Sequence, residues 1–139
     1  MDALPLHSGT RGRIDALGKE FLANFYKVEC RRHPENLEVL ADLGHLLTEL
    51  GRYEEGLEVD RELVRRVPDD PTVHYNLACS LALLGRVDEA LDSLEASVQR
   101  GYSDVEAMLA DEDLTALRGE LRYEALVRRL REEPRPTAE

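Results

Sequence analysis

Tryptophan is absent from the 139 residues, and aromatic residues make up only 5%. Valine and isoleucine together number 11, against 24 leucines. Sheets favour β-branched and aromatic side chains, so this balance points to helices. Long apolar runs are also missing; the longest, residues 81–84 and 107–110, are four residues each. A membrane-spanning helix needs about 20 apolar residues and a secretory signal core at least ~7. We therefore expect a soluble, cytoplasmic protein with no membrane partner. Positive charge is scarce, with 18 Lys and Arg against 29 Asp and Glu, a net charge of −11. Nucleic acids are bound by Lys and Arg that release counterions, so nucleic acid is not an expected partner. The two cysteines, Cys30 and Cys79, stand 49 residues apart with no metal-ligand spacing. They read as reduced packing residues, and no cofactor or metal is expected.

A mass of 15.7 kDa fits one domain with room for a core. Charge is uneven within it. Residues 1–36 carry +1, residues 37–70 carry −6, residues 71–102 carry −2 and the remainder −4. The most acidic block also opens an internal repeat, which shows when the chain is slid against itself by 34 residues. Leu43-Gly44 then falls on Leu77-Ala78, and Leu50-Gly51-Arg52 on Leu84-Gly85-Arg86. Glu55 meets Glu89, Leu57 meets Leu91, Val64 meets Val98, and Pro34 meets Pro68. Coincidence over several residue classes in one register marks a true repeat.

Each unit reads as two helices. Leu37, Leu40, Leu43, Leu47 and Leu50 form one helical stripe, which Gly51 terminates. A second helix runs from Tyr53 to about Arg66, broken by Pro68. Asp70 and Pro71 are suited to the cap and first turn of the next helix. The second unit then spans roughly 71–84 and 87–100. Gly44, Gly56, Ala78 and Ala90 lie where paired helices would come closest.

These residues resemble the tetratricopeptide repeat family. Its pattern of Leu-Gly/Ala, Gly-x-Tyr-x-Glu-Ala and a closing Pro is met by Leu43-Gly44, by residues 51–56 and by Pro68. The second copy, Tyr75-Asn76-Leu77-Ala78 followed by residues 85–90, matches better. Four residues depart. Leu40 and His74 replace a favoured Trp, Asp60 replaces an aromatic residue, and Tyr102 takes the second closing Pro position. At Asp60 we expect looser packing or an exposed carboxylate, and at His74 a satisfied core histidine. The fold expected is all-α, a helical hairpin solenoid in a single domain spanning 1–139. It comprises an N-terminal capping helix over 10–33, repeats over 37–70 and 71–102, and capping helices over 103–132. Residues 1–9 and a tail over 133–139 read as disordered.

In the N-terminal flank, Ile14, Leu17, Phe21, Phe25 and Val28 keep a helical stripe, fitting either a degenerate repeat or a dedicated cap. Downstream, residues 103–106 read as a capping box, residues 111–114 as a second helix start, and 120–131 as a last amphipathic helix. Residues 101–118 resemble a segment that ends many bacterial arrays of this family. Stacked repeats leave open apolar ends that such flanks cover.

No catalytic signature is present: no G-x-S-x-G, H-E-x-x-H, phosphate loop or Rossmann glycine run. The carboxylates at 111–113 suit helix capping better than a cation. The 34-residue register makes His45 a neighbour of Cys79, and Asp42 of Asn76. A Cys–His pair suggests a nucleophile, but no oxyanion donor accompanies it. A non-catalytic groove lining is the expected reading.

The resemblance implies a right-handed superhelix whose inner face is lined by the first helix of each pair. Here that lining is Glu38, Ala41, Asp42, His45, Thr48 and Glu49, then Thr72, Tyr75, Asn76, Cys79 and Leu83. The candidate protein-binding residues are Glu38, Asp42, His45, Glu49, Thr72, Tyr75, Asn76 and Cys79. Such a surface favours a basic or neutral peptide or helix. The clamp by which some members grip a chaperone C-terminus is not expected, because its basic and second amide positions fall on Ala41 and His45. The function expected is a protein-binding adaptor or scaffold. A self-associating homodimer, zipped along the 12–32 or 120–131 helix, and a small secretion chaperone of this repeat type stay open.

Overall fold

Three glycines set the corners of the chain. Gly51, Gly85 and Gly101 have φ of 75°, 74° and 112°, a left-handed region that costs glycine little. At each, the residue after the glycine donates back into the helix: Arg52 N to Leu47 O at 2.8 Å, Arg86 N to Leu81 O at 2.9 Å, and Tyr102 N to Ser97 O at 3.1 Å. This closes the terminal carbonyls and turns the chain sharply.

The computed structural model describes residues 8–132, with side chains from residue 15 onward. Its elements are α1 (Ser8–Arg32), α2 (Leu37–Glu49), α3 (Tyr53–Arg66), α4 (Pro71–Leu83), α5 (Val87–Gln99) and α6 (Val105–Ala110). A 3-10 segment (Glu112–Leu117) and α7 (Leu121–Glu132) follow. The helices pack as antiparallel pairs, with no strand among the described residues. The disorder expected over 1–7 and 133–139 falls outside them, whereas residues 8 and 9 open α1.

The first helix of each pair starts on a side-chain cap, whereas α3 and α5 have none. Asn36 accepts from Val39 N at 3.3 Å and Asp70 from Thr72 N at 2.8 Å. The capping box expected at 103–106 is not formed: Asp104, not Ser103, is the cap, its carboxylate accepting from Ala107 N at 3.1 Å.

Small residues let each pair close. A Cβ on Gly44 would lie 3.1 Å from Val59 Cγ1, and one on Gly56 would lie 3.2 Å from Thr48 Oγ1. In the second pair the equivalent Ala78 and Ala90 are fully buried. Stacking between pairs repeats a polar contact as well. Arg66 donates to Pro34 O at 2.5 Å and Arg100 to Pro68 O at 2.6 Å. His74, buried, also donates from Nε2 to Pro68 O at 2.7 Å.

The apolar interior falls into two clusters. The smaller joins α1 and α2 through Ala23, Leu43, Leu46 and Leu47. The larger runs from Leu57 on α3 through the second repeat to Met108, Leu114, Leu117, Tyr123, Leu126 and Val127. Residues 105–127 thus pack over α4 and α5 rather than trailing away. The α1 stripe behaves differently: Ala23, Tyr26 and Cys30 face the cluster, while Leu17, Phe21, Phe25 and Val28 are exposed.

Leu114 and Leu117 are both fully buried. Truncating either to Ala is expected to cost about 2–5 kcal/mol in urea unfolding. Leu121→Ala, at an exposed position, is the control and is expected within about 0.5 kcal/mol of the parent. Equal effects at all three positions would show that the C-terminal segment does not share the core.

Candidate functional site

The first helices of the two pairs, α2 and α4, border a recess of about 210 Å³. Gly44, His45 and Thr48 come from α2, Asp60 from α3, and Tyr75, Asn76, Cys79 and Ser80 from α4. Asp111 and Asp113, from the turn into the 3-10 segment, close one side. None of these lining residues is a Lys or Arg.

Of the residues proposed from sequence, His45, Tyr75, Asn76 and Cys79 meet in this recess. Asp42, one turn before His45 on α2, is exposed and outside the lining, as is Glu38. Thr72 is exposed at the start of α4, outside the lining. Glu49 turns towards α1, where Lys19 Nζ lies 3.2 Å from its carboxylate.

Asp60 corrects the expectation of loose packing. Its carboxylate is buried and accepts a hydrogen bond from Ser80 Oγ across to α4. The missing Cβ at Gly44, 3.3 Å from Asp60 Oδ1 had it been present, leaves the space. Burial pushes the Asp60 carboxyl up to about 6, against the pull of the Ser80 hydrogen bond and the charge of His45.

Asp111 organises the other wall. Its Oδ2 accepts from Tyr75 OH at 2.7 Å and from the Cys79 thiol at 3.7 Å. Its Oδ1 accepts from Asp113 N at 3.0 Å, capping the 3-10 segment. Tyr75 also stacks on Tyr102, ring centres 4.5 Å apart and planes 14° from parallel. Burial, then the charges of Asp111 and Asp113, hold the Cys79 thiol far above its ordinary pKa. A thiolate nucleophile needs the opposite environment. Asp113 is raised by burial and by the Asp111 and Glu112 carboxylates.

Donor atoms of Cys79, Asp111 and Asp113 lie within 4.8 Å of one another. One soft thiol with two hard carboxylates is a mixed set, and Asp111 is already committed to the hydrogen bonds above. No helix among the described residues is long and apolar enough to cross a membrane.

Repeated antiparallel pairs, glycine corners and a 34-residue register agree with the sequence comparison. The tetratricopeptide repeat model matches residues 19–71 and 41–106. The chain belongs to the tetratricopeptide repeat family. The first match begins inside α1, so the second half of that helix enters the repeat pattern. Domains of this family generally mediate protein–protein interactions. No curated protein matches the chain.

Ionising Asp60 costs stability. With a folded pKa of about 6 and an unfolded value of ~3.9, the folded state binds the proton more tightly. Its stabilising share is full below about pH 4 and is lost as pH rises through about 6. Two pKa units correspond to roughly 3 kcal/mol at most. Relative to Asp60→Asn, which keeps an acceptor for Ser80, the parent is expected to lose roughly 5 °C of melting temperature between pH 4.5 and 7. A pH-independent difference between the two proteins would refute this account.

Proposed function

We propose that this protein is a non-catalytic adaptor that binds a basic or neutral segment of a partner protein along α2 and α4. The recess receives a cationic side chain of that segment. One observation carries this reading: Asp60, Asp111 and Asp113 line the recess with no Lys or Arg among them. Burial raises the Asp60 and Asp113 carboxyls, and at Asp113 the neighbouring Asp111 and Glu112 charges add to it. A guanidinium or ammonium entering the recess makes charge-assisted hydrogen bonds to the carboxylates. Exposed Asp42 and Glu38 extend the anionic surface along α2, where they steer a basic segment towards the recess.

The chemistry of Cys79 supports a binding role over a catalytic one. Its thiol is buried, protonated and hydrogen-bonded to a carboxylate, and no Lys or Arg lines the recess to stabilise a thiolate. The net charge of −11 favours basic partners in the same sense.

Pull-down from the native cell, followed by titration with the captured partner, tests the reading. Asp42→Lys combined with Asp113→Asn is expected to weaken binding by about tenfold or more, with an unchanged circular-dichroism melt. Binding by the parent is expected to weaken as salt rises. Undiminished capture by the double variant would sink the assignment.

A further inference from the structure

The three carboxylates of the recess differ in how much of their accepting capacity the fold uses. Asp111 is fully engaged: Oδ1 accepts from Asp113 N, and Oδ2 from Tyr75 OH and the Cys79 thiol. Asp60 is half engaged. Its Oδ2 accepts from Ser80 Oγ, while Oδ1 has no donor among the described residues. The residue is only 6% exposed. No fully buried side-chain nitrogen or oxygen among the described residues goes without a hydrogen bond, so this donor-free Oδ1 is one that solvent reaches. The bare Cα of Gly44 keeps it open, since a Cβ there would stand 3.3 Å away. Asp113 is unengaged: its half-buried side chain makes no hydrogen bond or ion pair among the described residues, and neither does the Asn76 amide beside it in the lining.

We infer that the recess selects an arginine of the partner segment over a lysine, its guanidinium bridging Asp60 and Asp113. The inference rests on the adaptor reading above and names the side chain which that reading admits. The open acceptors stand on different elements: Asp60 on α3, Asn76 on α4 and Asp113 in the 3-10 segment. A ligand that satisfies them together must point donors in several directions at once. A guanidinium does so, with five N–H donors in a rigid planar fork. An ammonium sends three donors from a single atom, which suits one carboxylate and serves a second on another wall poorly.

Hydration, room and rigidity act in the same direction. A cation that reaches the buried Asp60 sheds most of its own water, and a guanidinium is the more weakly hydrated of the two. A recess of about 210 Å³ has space for several waters, and therefore for a planar guanidinium. Tyr75 supplies an aromatic wall that is already fixed, its hydroxyl by Asp111 and its ring by Tyr102, 4.5 Å away. Guanidinium groups pack on aromatic rings readily. Asp113 sits in a segment capped by Asp111, and Asp60 is held to α4 through Ser80. Neither acceptor has to be ordered by the ligand.

Nuclear magnetic resonance on the isotope-labelled full chain at pH 7.5 reads the preference directly. The probes are a blocked glycine–arginine–glycine tripeptide and its lysine and citrulline counterparts, each titrated into the millimolar range. The arginine probe is expected to give saturable shifts at the backbone amides of Asp60, Asn76, Ser80 and Asp113. Its dissociation constant is expected to lie about fivefold or more below that of the lysine probe. Citrulline keeps the shape without the charge and is expected not to saturate. Asp113→Asn is expected to bring arginine within about twofold of lysine, with an unchanged circular-dichroism melt, because that side chain bonds nothing in the fold. Asp60→Asn, which keeps an acceptor for Ser80, is expected to do the same, and should it fail to fold, Asp113→Asn alone decides. Equal binding of arginine and lysine overturns the preference and leaves a cation-accepting recess standing. A preference that survives Asp113→Asn overturns the bridge. Saturation by citrulline as tight as by arginine, or no shift at these amides with either cation, overturns the inference, and the latter takes the recess out of the adaptor reading as well.

Discussion

The helices of the first pair meet where neither carries a side chain, and much of the structure follows from that contact. Gly44 on α2 and Gly56 on α3 leave no room for an added Cβ without moving Val59 or Thr48. The resulting closeness brings α3 far enough under α2 for Asp60 to reach Ser80 on α4. In the second pair Ala78 and Ala90 fill the same role with one carbon each. Close pairing within hairpins sets how adjacent hairpins stack, and stacking sets the recess between the first helices.

Stacking between hairpins is more polar than their interiors. Arg66 and Arg100 each reach back 32 residues to the carbonyl of the proline that closes the preceding unit. Arg52–Glu55 and Arg86–Glu89 recur at the same offset, bracing the turns. Exposed ion pairs stabilise little individually. The proline carbonyls, by contrast, are acceptors that the chain's own turn leaves open, and a fixed guanidinium satisfies them. The polar register therefore follows the apolar one instead of competing with it.

The solenoid was legible in the residues because its cause is periodic. The leucine rows, the glycine corners and the closing prolines each report the same 34-residue spacing, and α2 through α5 begin where those signals place them. The recess was legible in half. His45, Tyr75, Asn76 and Cys79 lie on first helices, where the period predicts neighbours. Asp60 lies on a second helix, and its burial depends on a glycine 16 residues earlier. Asp111 and Asp113 belong to a segment outside the period, and repeat spacing says nothing about where such a segment lands. Tyr102 in place of a closing proline was the available signal, since its ring stacks on Tyr75 and leads the chain back over α4. In α1 the apolar row was visible but its direction was not. Periodicity reveals that a helix has an apolar face; which face packs depends on neighbours, and here Ala23, Tyr26 and Cys30 won that contact.

Asp111 links the wall of the recess to the closure of the core. The carboxylate that accepts from Tyr75 and Cys79 on α4 also caps the 3-10 segment carrying Leu114 and Leu117. Arg118, just past that segment, donates to the carbonyls of Leu109 and Asp111 at 3.2 and 3.1 Å. The turn is thus held from both ends, and its position is a property of the folded core. A cation drawn towards Asp113 meets a wall already fixed in place, so little ordering cost attaches to binding there. The same coupling runs in reverse: neutralising Asp111 would release Tyr75 from below and the 3-10 segment from above. The carboxylates gathered beside α4 therefore serve the fold first, and under the function proposed above they are also what a basic segment would meet in the recess.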